Sequence, residues 1–446
     1  MKKLTAVLLA VSLILLIAGC GKKEPALPPS SSPSSGQNDS SLPSKDNPSS
    51  SSPSDISSGQ VSRPESRPDG DKQETIPAPE NTPHEGHYAY EFLTNVQKVY
   101  YEAMHTAVEE MHPSWIVLGP RTDSYATDIA VVRSALVADH PEIFWLPHYY
   151  VTATGTDGEG NPTALMMFSS SFELSPAYLV TRSEKSYMEK ELKSAVDEIS
   201  ALVTATDPFE IELQLHDILC SRVEYSNDSA DSMIYTAYGA LVNGKALCEG
   251  YSRAMQLLLS QFGILSTTVS GIAENEGHMW NLVNIEGGWY NLDVTWNDSS
   301  KDFISHEYFN ITDSEISLDH TFSADYTELS AEDISLGKVS FNISRPKAQN
   351  TDADYFAKRG FILTAEKLPE LVLLLISAPE KVIEVKYASS AVKEDFNNNM
   401  TAYIEELNGE IALSSEADFY IGRIASSSLT LKLYKEQKED TASARI

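Results

Sequence analysis

Three residues of this chain could together form a nucleophilic relay. Cys248 supplies a thiol, His278 an imidazole and Asp293 a carboxylate. In such a relay the imidazole takes the thiol proton, and the carboxylate fixes the imidazole tautomer and stabilises its charge. Each residue also has a structural alternative: a small buried hydrophobe, a paired core histidine and a hydrogen bonder at the end of a hairpin. The choice depends on the elements that position the three side chains.

A helix is predicted to begin at or near Cys248. The residues that follow carry an apolar stripe at helical spacing: Met255, Leu258, Leu259 and Phe262. Gly263 then supplies a C-terminal stop. The unpaired N–H groups and the dipole at a helix N-terminus favour a thiolate over a thiol. The position of Cys248 therefore suits a nucleophile.

Residues 277–298 have the pattern of a β-hairpin, with aromatic-rich runs on either side of a glycine-containing turn. Because side chains alternate between the two faces of a strand, the turn decides which residues share a face. A two-residue turn at 286–287 makes His278 and Asp293 diagonal neighbours, and a turn at 287–288 also keeps them on one face. A three-residue loop without a bulge would put them on opposite faces.

Three separated motifs around these residues resemble the catalytic core of the transglutaminase-like superfamily, within the papain-like cysteine enzymes. They are ALCEGYS at 246–252, GHMWN at 277–281 and WYNLDVTW at 289–296. Their order and spacing both fit that family. The resemblance covers about residues 205–315, and HPEIFWL at 140–146 is similar to what precedes this core in some bacterial surface proteins.

The resemblance implies a role for each residue. Cys248 would be the nucleophile, His278 the general base and later the acid, and Asp293 the orienting carboxylate. One oxyanion donor would be the backbone N–H of Cys248, and Tyr238 is a candidate for the second, with core packing as its alternative. The implied fold is a helix-borne cysteine packed on an antiparallel sheet that carries the histidine and the aspartate. No cofactor is required.

Two other arrangements of these thiols and ligands remain as alternatives. A disulfide between Cys220 and Cys248 would silence the enzyme, but Cys220 lies among apolar residues and is expected in a helix core. A metal site formed by Cys248, His278 and Asp293 is not predicted, because their spacing matches no compact ligand pattern.

The chain as a whole is predicted to be α+β and to divide into several parts, because the globular portion is longer than one core usually accommodates. The predicted parts are a lipoprotein signal peptide at 1–20, a disordered Ser/Pro-rich linker at 21–86, an N-terminal α+β region at 87–204, the transglutaminase-like core at 205–337 and a small C-terminal α/β domain at 338–446.

The N-terminal segment has the grammar of a targeting signal, with two lysines ahead of an apolar run. Its ending, Ile17-Ala18-Gly19-Cys20, resembles the bacterial lipobox, in which the cysteine is lipidated; a plain signal peptide and an N-terminal anchor helix are the alternatives. The Ser/Pro-rich stretch after it lacks the apolar residues that a core needs. The expected location is extracytoplasmic, with the chain lipid-anchored to the bacterial cell membrane.

Charge bears on the partners that the chain can bind. The sequence has 64 acidic and 33 basic residues, for a formal net charge of −31. This balance argues against nucleic-acid or anionic-lipid binding through a basic patch. The expected partners are protein or peptide substrates at the cell envelope, with the membrane contacted only through the N-terminal lipid.

Outside the core, periodicity predicts several further elements. One long helix is expected at 88–112, another at about 184–203 and a third after Asp207-Pro208. The C-terminal part is expected to run strand, helix and strand, with the helix ended by Asn408-Gly409.

Two functional hypotheses follow. The first is a cysteine enzyme that attacks a carboxamide or peptide bond, with water or an amine as acyl acceptor. The second is a non-catalytic surface binding or scaffold module that retains the papain-like fold. Labelling of Cys248 by a thiol-directed electrophile distinguishes the two hypotheses.

Overall fold

The structure, a computed structural model, describes residues 87–169, 177–298, 303–364, 368–414 and 417–437, all within one compact unit. It is a mixed helix and sheet protein, as the sequence predicts. The predicted signal peptide and linker, including Cys20, lie outside the described residues. None of the helices in the described ranges has the length and apolar character needed to cross a membrane.

The N-terminal region packs helices against a small sheet. Its helices and strands are α1 (Asn95–Glu109), β1 (Ile116–Pro120), α2 (Tyr125–Asp139), β2 (Tyr149–Thr156), β3 (Pro162–Ser169) and α3 (Arg182–Leu202). The strands form a three-stranded antiparallel sheet in the order β1-β3-β2 within the described residues.

The helix predicted at 88–112 is divided in two, so this prediction is wrong at its start. A 3₁₀ turn at Ala89–Phe92 precedes α1. The side chain of Thr94 accepts a hydrogen bond from the Gln97 backbone, and the Gln97 side chain accepts one from the Thr94 backbone. This capping box starts a new helix, which hydrophobic spacing alone does not reveal.

The core region follows. Its helices and strands are α4 (Pro208–Arg222), β4 (Glu224–Tyr225), α5 (Ala237–Leu241), β5 (Lys245–Ala246), α6 (Cys248–Ser260), β6 (Ser266–Ala273), β7 (Glu276–Ile285), β8 (Gly288–Leu292), α7 (Val294–Asn297), β9 (Phe309–Ile311), α8 (Asp313–Ile316), β10 (His320–Phe322) and α9 (Ala331–Ser335). Five of these strands form an antiparallel sheet in the order β10-β6-β7-β8-β9. Helix α6 packs on β6 and β7.

The β7–β8 hairpin adopts the first of the two predicted registers. Ile285 pairs with Gly288 across a two-residue turn at Glu286 and Gly287, whose φ angles are 52° and 88°. Two consecutive positive φ angles are the signature of a type I′ turn, whose twist matches that of paired strands. The register therefore brings His278 and the residue after β8 to the same part of the sheet.

The C-terminal region forms a second sheet with helices. Its elements are α10 (Tyr355–Arg359), β11 (Ile362–Leu363), α11 (Leu368–Ser377), β12 (Val382–Tyr387), α12 (Ser390–Leu413), β13 (Phe419–Ser426) and β14 (Thr430–Gln437). The strand order is β11-β12-β14-β13. Buried residues between Leu363 and Leu433 form a hydrophobic cluster, separate from the main one that runs from Ala89 to Ala353. The domain boundaries at 204 and 337 stay predictions.

Helix α12 continues past Asn408-Gly409, where the sequence predicts its end. Leu407 and Ile411 are both fully buried, so the apolar face extends beyond the glycine. The Asn408 side chain donates to the Ile421 carbonyl and accepts from the Ile421 N–H, and thus bonds to β13 instead of capping the helix. Burial of this face outweighs the roughly 1 kcal/mol that a glycine costs inside a helix.

Candidate active site

Cys248 is the first residue of α6 and is 2% exposed. Leu247 precedes it in an extended conformation and acts as the helix N-cap residue. A Cβ atom at Gly250 would overlap the carbonyl oxygen of Ile234, so the first turn of α6 lies directly against another backbone segment. The glycine of the ALCEGYS motif is therefore required by packing at the start of the helix.

Ser252 joins the start of α6 to the strand that carries the histidine. Its hydroxyl lies 2.8 Å from the carbonyl oxygen of Cys248 and 3.0 Å from that of Met279. The side-chain amide of Asn281 donates to the Ser252 carbonyl at 2.9 Å. These contacts hold the helix start beside β7, next to His278.

His278 and Asp293 are in direct contact. Nε2 of His278 lies 2.6 Å from Oδ2 of Asp293, and both side chains are completely buried. Asp293 follows β8 as the N-cap residue of α7, where its Oδ1 accepts a hydrogen bond from the Trp296 N–H at 3.1 Å. The cap orients one carboxylate oxygen, and the other is thereby aimed at the imidazole.

The charge state of Asp293 follows from its neighbours. Burial raises the pKa of Asp293, but the charges and hydrogen bonds of His278 and His320 lower it by a larger amount. The pKa of Asp293 therefore lies well below its usual range. An ionised carboxylate only accepts hydrogen bonds. Nε2 of His278 must then carry a hydrogen, and the lone pair of the neutral ring lies on Nδ1. Nδ1 is therefore the nitrogen that can act as a base.

His320 is a site residue that the sequence analysis missed. It lies on β10, with Nε2 3.1 Å from the same Asp293 oxygen and Nδ1 2.6 Å from Oδ1 of Asp319. Because both ring nitrogens donate to carboxylates, the ring is an imidazolium. Burial lowers the pKa of His320, but these two carboxylates raise it above the usual value. No motif or spacing marks this residue, since the pairing of β10 with β6 brings it to the site.

Tyr238, the predicted second oxyanion donor, forms its contacts with residues of the N-terminal region. Its hydroxyl donates to Glu191 on α3 at 2.6 Å, and its ring packs on Phe144. A hydroxyl has one hydrogen, and here that hydrogen is committed to Glu191. Tyr235, by contrast, packs with Cys248 in a small hydrophobic cluster. The sequence analysis did not single out Tyr235.

Cys220 lies in the core on α4, as expected, and both Cys220 and Cys248 are reduced thiols. The sulfur of Cys220 is 3.7 Å from Nε2 of His216 and 3.8 Å from the Val294 carbonyl oxygen. The two thiols therefore occupy different surroundings, one beside His216 within α4 and one at the start of α6.

Within the described part of the chain, two groups of side chains have ligand atoms close enough to hold a metal ion, all within 4.8 Å of one another: His278, Asp293 and His320, and His216, Asp217 and His306. In each group a single carboxylate oxygen lies within hydrogen-bond distance of both histidines. As they stand, both groups are hydrogen-bonded networks. A metal in the first group would compete with the histidine–aspartate contact.

Part of this chain is similar to several known proteins. The crystal structure of a TGase is similar at 12% sequence identity and a TM-score of 0.22, over 32% of this chain and 43% of that chain. Kyphoscoliosis peptidase from Mus musculus is 25% identical over 116 residues, which are 21% of this chain and 18% of that protein. The Homo sapiens protein is 26% identical over 105 residues, 20% and 16% of the two chains. This chain thus spans less than a fifth of the length of these relatives.

The family model described as Transglutaminase-like superfamily matches residues 197–294. This segment holds Cys248 at the start of α6, His278 on β7 and Asp293 after β8. The elements that bring these three side chains into one region are therefore the elements that the family model covers. The chain contains a transglutaminase-like superfamily core at residues 197–294.

Proposed function

We propose that this protein is a transglutaminase-like cysteine enzyme that acts on amide bonds of surface proteins or envelope peptides. The observation that supports the proposal is the 2.6 Å contact between His278 and Asp293, beside a helix that begins with Cys248. Nucleophile, base and orienting carboxylate are the parts that a thiol acyl-transfer reaction needs. All three are buried, which excludes water and strengthens their electrostatic interactions.

In the first half of the reaction, Nδ1 of His278 takes the thiol proton, and the Cys248 sulfur attacks the carbonyl carbon of the substrate amide. The carbon–sulfur bond forms, and the carbonyl oxygen becomes an oxyanion. We assign one oxyanion donor to the backbone N–H of Cys248, the first residue of α6. His278 then gives its proton to the amide nitrogen, the carbon–nitrogen bond breaks, and a thioester remains.

In the second half, the acyl acceptor attacks the thioester carbonyl while His278 takes its proton. The carbon–sulfur bond breaks, and the proton returns to the thiol. Water as acceptor gives a peptidase or deamidase, whereas an amine gives a crosslinking enzyme. Asp293 keeps its Nε2–H contact throughout and stabilises the transient imidazolium.

Labelling of the thiol tests the proposal. The full chain should react with a thiol-directed electrophile such as iodoacetamide, and mass spectrometry should locate the label on Cys248. Cys248 should keep reacting at pH values too low for a small model thiol to react, because proton transfer to His278 and the helix N-terminus both favour the thiolate. His278→Ala should move this pH profile upward.

Two variants serve as controls for the labelling. Cys248→Ala should lose the label, whereas Cys220→Ala, which removes the other core thiol, should keep it. If Cys248 reacts like a model thiol and is indifferent to His278, the non-catalytic binding or scaffold module becomes the better interpretation.

We also propose that the enzyme is lipid-anchored outside the cytoplasm through Cys20. The support is the sequence Ile17-Ala18-Gly19-Cys20 after a charged and apolar leader. Cys20→Ser should abolish lipidation and release the protein from the detergent phase in a phase-partition assay. Unchanged partitioning of the variant would refute the anchor.

A further inference from the structure

A cleft adjoins the proposed nucleophile on the side of the N-terminal region. Its cavity has a volume of about 100 Å³. Glu249 and Met279, the residues that follow Cys248 and His278, line it, together with Tyr235. Met279 and Tyr235 also pack in the small cluster that contains Cys248. A substrate attacked by the thiol would therefore have this cleft within reach.

Two buried arginines line the same cleft. Arg133 on α2 is 6% exposed and Arg253 on α6 is 8% exposed. Arg253 forms an ion pair with Glu249 at 2.5 Å. Arg133 donates from Nη2 to the Pro147 carbonyl at 3.0 Å, and no carboxylate among the described residues forms an ion pair with it. A third lining arginine, Arg345, is already ion-paired with Asp313 at 2.8 Å. Apart from that pair, the cleft contains two guanidinium groups and one carboxylate to balance them.

Part of the hydrogen-bonding capacity of these two arginines is also unused. The Nε atoms of Arg133 and Arg253 are both buried and have no hydrogen-bond partner within the described part of the chain. A buried charge without a partner, or a buried donor without an acceptor, is costly to folding. His148, which also lines the cleft, adds no compensating negative charge, and burial lowers its pKa. A group that brings one negative charge and several acceptors would satisfy this arrangement.

We propose that this cleft is a substrate subsite that binds a carboxylate, held by Arg133 with the support of Arg253. The inference rests on the proposed function, because the subsite positions a substrate for attack by Cys248. A carboxylate fits better than a phosphate: one negative charge balances the single excess cation, and two acceptor oxygens match the planar guanidinium fork. The substrate class is then an acidic peptide, with a carboxylate close to the amide that is cleaved or transferred.

Because the protein as a whole is strongly acidic, it needs a local site of positive charge to bind an acidic substrate. With a formal net charge of −31, the protein repels acidic peptides at long range. Selection of an acidic group must therefore come from short-range contacts inside a cleft, where screening is weak. An accidental buried arginine on an acidic protein would instead be expected to pair with one of its own carboxylates.

Matched covalent probes test the subsite. Peptidyl vinyl sulfones carrying either glutamate or glutamine, at the first or the second residue from the reactive group, are applied to the full chain. The inactivation rate constant per unit concentration is measured through Cys248 labelling. At one of the two positions the glutamate probe should react at least ten-fold faster than its glutamine twin, and Arg133→Gln should remove this preference. Arg253→Gln should reduce it.

The controls separate the two proposals. Arg121→Gln, which removes an exposed arginine just before α2, should keep the full preference. Circular dichroism and thermal unfolding establish that each variant is folded, and the wild-type probe ratio is decisive even if Arg133→Gln does not fold. If iodoacetamide labels Cys248 normally but neither position gives a ratio above about two, the subsite is refuted and the enzyme proposal stands. If Cys248 is not labelled at all, the enzyme proposal itself fails.

Discussion

The carboxylate of Asp293 accepts hydrogen bonds from His278 and His320 on one oxygen and from the Trp296 N–H on the other. His320 in turn contacts Asp319, which accepts a hydrogen bond from the Tyr308 hydroxyl at 2.8 Å. The orienting carboxylate is thus part of a buried chain of polar groups. In such a chain, each partner limits the rotation of the next. Asp319 therefore helps to hold the imidazole of His278, through His320 and Asp293.

His320 should make a pH-dependent contribution to stability. Its pKa is raised above the ordinary 6.5, because Asp293 and Asp319 outweigh the effect of burial. A histidine whose pKa is raised in the folded state contributes its full stabilisation below about pH 6.5, and this stabilisation is lost as the pH rises through the folded pKa. His320→Gln should therefore lower the free energy of unfolding by about 1–3 kcal/mol at pH 5.5 and by less at pH 9, as measured by urea unfolding.

His112, whose ring forms no ion pair with a carboxylate among the described residues, provides the comparison. His112 is hydrogen-bonded only weakly, with Nδ1 3.4 Å from the Ser114 carbonyl oxygen. His112→Gln should follow the wild-type stability curve at both pH values. A loss in His320→Gln that is equal at pH 5.5 and pH 9 would contradict the charged state assigned to His320.

At the scale of elements, α4 is attached to the central sheet through a buried polar pair. Glu212 on α4 is completely buried, and its Oε2 accepts a hydrogen bond from Asn310 on β9 at 2.6 Å. The other carboxyl oxygen of Glu212 and the amide oxygen of Asn310 have no partner within the described residues. Burial raises the pKa of Glu212 to about 8, and the contact with Asn310 opposes this only in part.

Replacement of Glu212 by glutamine should stabilise the protein at high pH. Glu212 has a pKa of about 8 in the folded protein, and its ordinary pKa is 4.5. The stability contributed by the neutral acid is therefore lost as the pH rises from 4.5 to about 8. Above pH 8 the wild type keeps a buried charge, which Glu212→Gln avoids at a gain on the order of a few kcal/mol. Thermal unfolding midpoints at pH 5 and pH 9 measure this.

The expected pattern is a difference between the two proteins that is small at pH 5 and large at pH 9. Glu210→Gln removes a half-exposed carboxylate from the same helix, where its surface ion pair with Arg359 contributes little to stability, and should show neither effect. If the wild type and Glu212→Gln lose the same stability between the two pH values, Glu212 is not the titrating group.

At the scale of the whole molecule, the C-terminal sheet holds the loop that supports the candidate site. Glu384 on β12 accepts hydrogen bonds from the Ser305 hydroxyl at 2.7 Å and the His306 N–H at 2.9 Å. The same loop continues to Tyr308, whose carbonyl accepts the Asp293 N–H at 3.0 Å. The C-terminal sheet is therefore connected to Asp293 through a short stretch of backbone.

Removal of Glu384 should affect both stability and the distant thiol. Glu384→Ala leaves the Ser305 hydroxyl, which is buried, and the His306 N–H without their acceptor, which should cost about 1–3 kcal/mol in urea unfolding. Under folded conditions, the loosened loop should also slow the labelling of Cys248. Glu380→Ala, at an exposed position just before β12, should change neither quantity. If the Glu384→Ala variant keeps the wild-type stability and labelling rate, the C-terminal sheet does not support the site.

The sequence by itself determined the parts of the site that depend on local periodicity. The apolar stripe after Cys248 placed the start of α6 correctly. The glycine-containing turn and the alternation along β7 and β8 left two registers that put His278 and Asp293 on one face, and the structure adopts the one with the turn at Glu286 and Gly287. These features follow from backbone geometry within about twenty residues, where the number of arrangements is small. The resemblance to a transglutaminase-like core rests on these same segments and was confirmed.

Only the tertiary structure decided which distant groups complete the site. His320 reaches Asp293 because β10 pairs with β6, and Arg133 reaches the cleft because α2 packs there. Likewise, α12 passes Gly409 because Ile411 is buried by other elements. Such outcomes depend on burial summed over contacts that are far apart in sequence, and a local pattern carries no record of that sum.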